Sequence, residues 1–170
     1  MSEPLKKISE AIALMQRYCS MREYCESDIR KKLKARGCDL DESETVIKKL
    51  VEERFIDEER YCRAFVRDKS SLSGWGSRKI EFALRNKEID TAIIKAAIES
   101  LDPEAGSKVL ERVIKRKFEE LKKRRVKSDE DKAKIRERVI RFALTRGFTY
   151  DEILKVINKT MANFEAGKRE

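Results

Sequence analysis

At 170 residues the chain is long enough for one or two packed domains without disulfide or metal staples, and 43% of it is charged. Only 6 Gly and 2 Pro accompany a composition rich in Lys, Arg, Glu, Leu, Ile and Ala, which favours helix over a turn-rich β architecture, and the absence of His excludes Ser-His-Asp, Cys-His and His-ligated zinc chemistry. The net charge of +9 is concentrated: residues 1–56 carry +1, 57–106 carry −1, 107–127 carry +7 and 128–170 carry +2.

The first predicted helix runs from Ile8 to Tyr18, and its apolar run Ala11–Met15 is too short for a bilayer span and too charge-flanked for a signal peptide, so a cytoplasmic protein is expected. Ser20-x-x-Glu23 has the form of a capping box and predicts the start of a second helix, which carries Ile29 and Leu33 and closes at Gly37. Asp41-x-x-Glu44 then predicts a third, with Val46, Ile47, Leu50 and Val51 on one stripe. Asp57 caps a fourth helix through Tyr61, Ala64 and Phe65, and Ser70–Ser77 reads as a loop that feeds the helix of Ile80 and Leu84.

A sixth helix follows Asp90, with Ile94, Ala97, Ile98 and Leu101 at helical spacing. Asp102-Pro103 opens a long basic helix whose inner face is Leu110, Val113, Ile114, Phe118 and Leu121. Ser128 restarts the chain as a helix ending at Gly147, and Thr149-x-x-Glu152 caps the last, with Ile153, Val156, Ile157 and Met161 inward.

One phrase recurs through this series: Ile29-x-x-x-Leu33, Ile80-x-x-x-Leu84 and Ile140-x-x-x-Leu144, spaced 51 and 60 residues apart. The expected fold is therefore all-α, with three tandem three-helix repeats at 1–56, 57–102 and 103–165 stacked into an elongated, curved molecule, and a disordered tail at 166–170.

The chemistry is sought among the cations. Lys115-Arg116-Lys117 and Lys122-Lys123-Arg124-Arg125 form a basic stretch that either contacts phosphates or an acidic surface, or is a solvated helix face. Arg67, Lys69, Arg78, Lys79, Arg85 and Lys87 flank a Gly74-Trp75-Gly76 loop. Trp75 there either stacks on a base or partner, or lids the core beneath it. The Gly pair is expected to give the loop backbone freedom.

Gly74-x-Gly76 is no dinucleotide loop, since Lys79 stands at the third glycine position and no strand precedes it, and no G-x-x-x-x-G-K-[ST] occurs. Asp57, Glu58 and Glu59 suit the first turn of a helix better than a divalent cation. Cys19, Cys25, Cys38 and Cys62 contain no C-x-x-C pair and read as small buried hydrophobes, with a four-thiolate zinc site as the alternative. Neither a catalytic residue nor a cofactor or metal is assigned, and an enzyme is not expected.

The phrase from Arg54 to Arg67 (Arg-Phe-Ile-Asp-Glu-Glu-Arg-Tyr-Cys-Arg-Ala-Phe-Val-Arg), then Gly74-Trp75-Gly76-Ser77-Arg78-Lys79-Ile80 and Leu84-Arg85-Asn86-Lys87-Glu88-Ile89, resembles the RecX family of recombination regulators. Glu88 stands where that family's turn usually has Gly, Cys62 where Ala is common and Ser77 where Pro is frequent. The resemblance implies a non-enzymatic, monomeric protein that binds RecA along the groove of its filament on single-stranded DNA, with direct contact to that DNA as a further expectation, and that inhibits strand exchange and the filament's ATPase. The residues alone leave two other readings open: a sequence-nonspecific DNA-binding helical protein without a specific protein partner, and a helical scaffold for an acidic partner.

Overall fold

A computed structural model describes residues 3–122 and 129–166, and the regular elements among them are nine α-helices with no strand. They follow in threes. The first trio is α1 (Glu3–Met21), α2 (Glu26–Lys34) and α3 (Leu40–Glu52); the second is α4 (Glu58–Ser71), α5 (Ser77–Arg85) and α6 (Thr91–Glu99); the third is α7 (Pro103–Lys122), α8 (Asp129–Thr145) and α9 (Tyr150–Ala166). Lys123, Arg124, Arg125, Ser128, the side chain of Met161 and the tail beyond residue 166 lie outside the described residues.

The helix starts follow local chemistry at most boundaries. Asp57 Oδ1 accepts from Arg60 N at 2.8 Å, Asp90 Oδ1 from Ala92 N at 2.7 Å and Asp102 Oδ1 from Glu104 N at 3.0 Å. Thr149 and Glu152 form the expected box, with Thr149 N donating to Glu152 Oε2 at 2.6 Å and Glu152 N to Thr149 Oγ1 at 3.3 Å.

Two expected starts are corrected. Ser20 lies inside α1, where its hydroxyl donates to Gln16 O at 2.9 Å; α2 instead starts after Cys25, which makes no side-chain cap. The α3 box is Asp39 with Glu42, two residues before the expected Asp41 and Glu44: Asp39, two residues after the left-handed Gly37, is extended, and its carboxylate accepts from Glu42 N at 2.8 Å.

The recurring phrase needs a shift of register in its third copy. After α2, Cys38 N donates to Leu33 O and Gly37 takes a left-handed φ of 77°. After α8, Phe148 N donates to Ala143 O, not to Leu144 O, and Gly147 has φ 89°. Between α5 and α6 the left-handed residue is Glu88, four after Leu84, at φ 63°. The buried anchor four residues before each turn is thus Leu33, Leu84 or Ala143, and Ile29 and Ile80 correspond to Val139, so the structural spacings are 51 and 59. Leu144 is 41% exposed while Val139 and Ala143 are fully buried. Glu88 holds a backbone region that costs a residue with a Cβ about 1 kcal/mol or more.

The helices gather into two compact units, Met1–Phe65 with Leu84–Ala97 and Val66–Ala83 with Ile98–Glu170, so the middle trio contributes to both. The first unit is built on Met15, Ile29, Leu33, Val46, Ile47 and Leu50. The second is built on Leu110, Ile114, Val139, Ala143, Ile153 and Ile157. Burying each of these side chains except that of Ala143 contributes on the order of 1.5–3 kcal/mol. Val51, expected on the inner stripe of α3, is exposed. Cys25 and Cys62 are the buried hydrophobes expected, whereas Cys19 and Cys38 are only half-buried; all four are free thiols.

Candidate functional site

In the second unit the segment after α4 is a tight loop set against its neighbours. Gly74 N donates to Ser70 O and Trp75 N to Lys69 O, which turns the chain back at the end of the helix. Gly74 takes φ 64°, and a Cβ there would lie 2.8 Å from Val113 Cγ2 of α7. Gly76 is needed for a different reason than backbone freedom. It approaches the turn after α8 so closely that a Cβ would lie 2.4 Å from Gly147 O, and its amide donates to Arg146 O at 2.8 Å.

Two guanidiniums fasten the same loop: Arg112 Nη2 donates to Ser71 O, and Arg146 Nη1 donates to Ser73 O at 3.0 Å. Between loop, α7 and α8 lies a cleft of about 420 Å³, lined by Ser71 to Gly74, Arg112, Val113, Arg116, Lys117, Glu120, Phe142 and Arg146. Four cations thus face one carboxylate. Glu120 pairs with Lys117 at 2.7 Å, and none of the three arginines makes an ion pair among the described residues. The Lys117 ammonium and the Arg146 guanidinium both lie over the Phe142 ring, 4.9 and 5.0 Å from its centroid, which holds these two cations in place. Leu72, on the rim, is 82% exposed.

The cations read from the sequence divide. Arg116 and Lys117 line the cleft; Lys115 pairs with Glu111 at 3.4 Å. Lys122 ends α7 half-buried, and Lys123, Arg124 and Arg125 lie outside the described residues. Lys69 and Lys79 place their ammoniums 5.0 and 4.7 Å from the Trp75 ring centroid. That ring is half-buried and lines a second groove with Leu110 and Phe148 of its own unit's core. Arg67 pairs with Asp68 at 3.1 Å, and Arg78 is exposed on α5.

Arg85 and Lys87 belong to the first unit. Lys87 Nζ bonds both carboxylate oxygens of Asp28, at 2.7 and 2.8 Å, and lies 5.6 Å from the Tyr61 ring centroid. Burial opposes its charge, but the hydrogen bonds to Asp28 and Tyr61 outweigh burial and raise its pKa. Burial pushes the Tyr61 phenol up to about 12 and the Cys62 thiol up to about 11.

Sequence reasoning missed Arg112 and Arg146. Arg112 lies in the +7 stretch, but so do nine other cations, and nothing local distinguishes it. Arg146 carried a usable signal: Arg146-Gly147 repeats Arg36-Gly37 at the equivalent turn. Among the described residues no group of three or more Cys, Asp or Glu side chains is placed to hold a metal ion, and no helix is long and apolar enough to cross a membrane.

The nine described helices form successive three-helix units of helix-turn-helix-like kind, and comparison with known proteins gives the family. The RecX first three-helix domain matches residues 11–50 and the RecX second three-helix domain matches residues 57–98. The regulatory protein RecX of Acinetobacter baylyi is 32% identical over 152 residues, covering 89% of this chain and 86% of that protein. That of Clostridium botulinum (strain Eklund 17B / Type B) is 33% identical over 140 residues, covering 82% of this chain; the chain spans 63% of that relative's length. A crystal structure of regulatory protein RecX superposes with a TM-score of 0.79 at 23% identity, covering 91% of this chain and 73% of that one. RecX from Lactobacillus salivarius does so with a TM-score of 0.77 at 20% identity, covering 93% and 99%. These two structures speak to the fold alone. The chain belongs to the RecX family of regulatory proteins.

Proposed function

We propose that this chain is a non-enzymatic, cytoplasmic regulator that binds the RecA nucleoprotein filament along its groove and lowers the filament's ATPase and strand-exchange activity, modulating DNA recombination and repair. Membership of the RecX family is the observation that carries this reading, and the cationic cleft supports it. A filament on DNA is a phosphate-bearing polyanion, and a focused cationic surface steers and holds such a partner. Purified protein added in substoichiometric amounts to RecA on single-stranded DNA is expected to lower ATP turnover and to co-sediment with the filament. Unchanged turnover without co-sedimentation would overturn the reading.

The arginines without carboxylate partners also fit the second reading, a sequence-nonspecific DNA binder with no specific protein partner. Equal affinity for bare and RecA-coated DNA across a salt series, with a steep salt slope, is the result that would favour it.

A further inference from the structure

We infer that the groove beside Trp75, between the Gly74–Gly76 loop, the α6–α7 junction and α9, is a docking site for a large apolar side chain flanked by a basic residue on a partner protein. The inference goes beyond the filament reading by adding a surface that recognises protein, and it rests on that reading only for which protein supplies the segment.

The second unit leaves apolar surface uncovered here. The groove holds about 450 Å³ and is lined by Trp75, Ile98, Leu101, Leu110, Phe148 and Val156. Leu110 and Phe148 belong to the buried core, but Trp75, Ile98, Leu101 and Val156 are each only half-buried, so side chains of core type stand open to solvent. A trough of this kind gains by receiving an apolar side chain that would otherwise be wet.

Two features of the wall suit an occupant better than they suit the fold. Ser70 is 7% exposed and lines the groove, and its hydroxyl makes no hydrogen bond among the described residues. A polar atom entering the groove gives that buried hydroxyl the partner it lacks. Gly106, early in α7, also lines the groove. Gly74, Gly76 and Gly147 are held as glycine by a left-handed backbone or a close approach, whereas Gly106 has neither, and a Cβ there would meet nothing within 4 Å. Glycine weakens a helix relative to alanine, and what the missing side chain leaves at this position is room in the groove.

Charge selects the occupant. The stretches that wall the groove, 70–77, 98–110 and 148–156, contain Glu99, Asp102, Glu104, Asp151 and Glu152 against Lys108 and Lys155, a net −3 in a chain of +9. Asp102 and Glu152 line the groove itself, each bonding a backbone amide through one carboxylate oxygen and keeping the other. An acidic rim repels a phosphate strand and attracts Lys or Arg. Apolar lining and acidic rim together match a protein segment that carries a Phe- or Leu-sized anchor beside a cation.

The test uses the full chain without RecA, so it is decided apart from filament inhibition. Acetyl-Phe-Arg-amide is titrated in and read by the emission of Trp75, the chain's one tryptophan, beside acetyl-Phe-Glu-amide and acetyl-Gly-Arg-amide. The expected result is a saturable change with a dissociation constant of about 0.1–1 mM for the first peptide, and binding at least about tenfold weaker for the other two. Ser70→Ala should weaken binding about threefold, the loss of one neutral hydrogen bond. Gly106→Leu fills the groove from its wall: it should weaken binding at least about tenfold while the thermal midpoint read by helicity stays level or rises, because Leu is the better helix former. No saturable change in the unsubstituted chain, equal binding of the Phe-Glu peptide, or unaltered binding in Ser70→Ala or Gly106→Leu would each overturn the inference. So would a concentration-dependent dimer that the Phe-Arg peptide dissolves, since the occupant would then be a second copy of this chain.

Discussion

The two compact units handle charge differently, although both carry ion pairs one helical turn apart, such as Arg30–Glu26 and Lys49–Glu53 in the first. In the first, ion pairs join distant stretches of chain: Lys7 to Glu42 at 2.6 Å, Arg30 to Glu44 at 2.9 Å, Arg60 to Glu23 at 2.7 Å and Lys87 to Asp28 at 2.7 Å. In the second, the described pairs are local, such as Lys108–Glu104, Lys115–Glu111, Lys134–Glu130 and Arg141–Glu137, all one helical turn apart. Between elements there, Arg112 and Arg146 donate to backbone carbonyls, and Arg136 of α8 donates to Asn158 Oδ1 of α9 at 3.2 Å. A unit whose cations are bound to its own carboxylates holds itself together with them. One whose cleft arginines, Arg112 and Arg146, donate to backbone carbonyls rather than to carboxylates leaves that charge uncancelled.

The largest effect expected tests the repeat register that relates the units. Leu84 of the first unit is fully buried at the anchor position and Leu144 of the second, which matches it by phrase, is exposed. Leu84→Ala is expected to destabilise by roughly 2–5 kcal/mol, and Leu144→Ala by no more than about 0.5 kcal/mol, as read by chemical denaturation. Equal losses at both sites would restore the phrase alignment of Ile140 and Leu144 and break the turn-based one.

That shift shows what the residues alone could carry. Helices, stripes and most caps were legible because they depend on neighbours within one turn: Asp57, Asp90, Pro103 and Thr149-x-x-Glu152 each do locally what their types dictate. The misreadings arise where a distant partner decides. Ser20-x-x-Glu23 has the form of a box, but Glu23 is bonded to Arg60, 37 residues on, and α1 continues past Ser20. Asp39-x-x-Glu42 and Asp41-x-x-Glu44 fit the box equally as strings; the Gly37 turn selects the first, and Glu44 is bonded to Arg30. For the candidate cleft, the loop around Trp75 and the charge of α7 could be read, but not their meeting: Arg112 reaches across 41 residues to Ser71 and Arg146 across 73 to Ser73.

Alkaline titration should separate the units next. Tyr61 and Cys62 both lie in the first, and their folded pKa values, about 12 and about 11, stand above the unfolded reference values of 10.0 and 9.0. A raised folded pKa means the folded state holds the proton more tightly, so the stability linked to these groups is fully present below about pH 9 and is lost as pH rises through the interval up to about 12. The single tryptophan, Trp75, reports on the second unit only. Thermal melts followed by helicity are therefore expected to fall with rising pH before melts followed by tryptophan fluorescence, and Tyr61→Phe should remove the phenol's share of the fall. Coincident melts through that range would show that the units do not differ in this respect.

The smallest effect sharpens the contrast in ion pairing itself. Lys87 and Asp28 retain 22% and 25% of their side-chain exposure, between the limits of a solvated pair and a desolvated one, and the Asp28 carboxylate receives both of its bonds here from a single ammonium. Lys87→Met leaves that carboxylate half-buried without its cation, which should cost about 1–2 kcal/mol. Lys108 and Glu104 are 78% and 83% exposed, so Glu104→Ala should change stability by less than about 0.5 kcal/mol. A double-mutant cycle on each pair measures the coupling directly. A strong coupling at Lys108–Glu104 or none at Lys87–Asp28 would mean that reach across the sequence does not decide which pairs stabilise a unit, and that burial alone has been misjudged as the controlling variable.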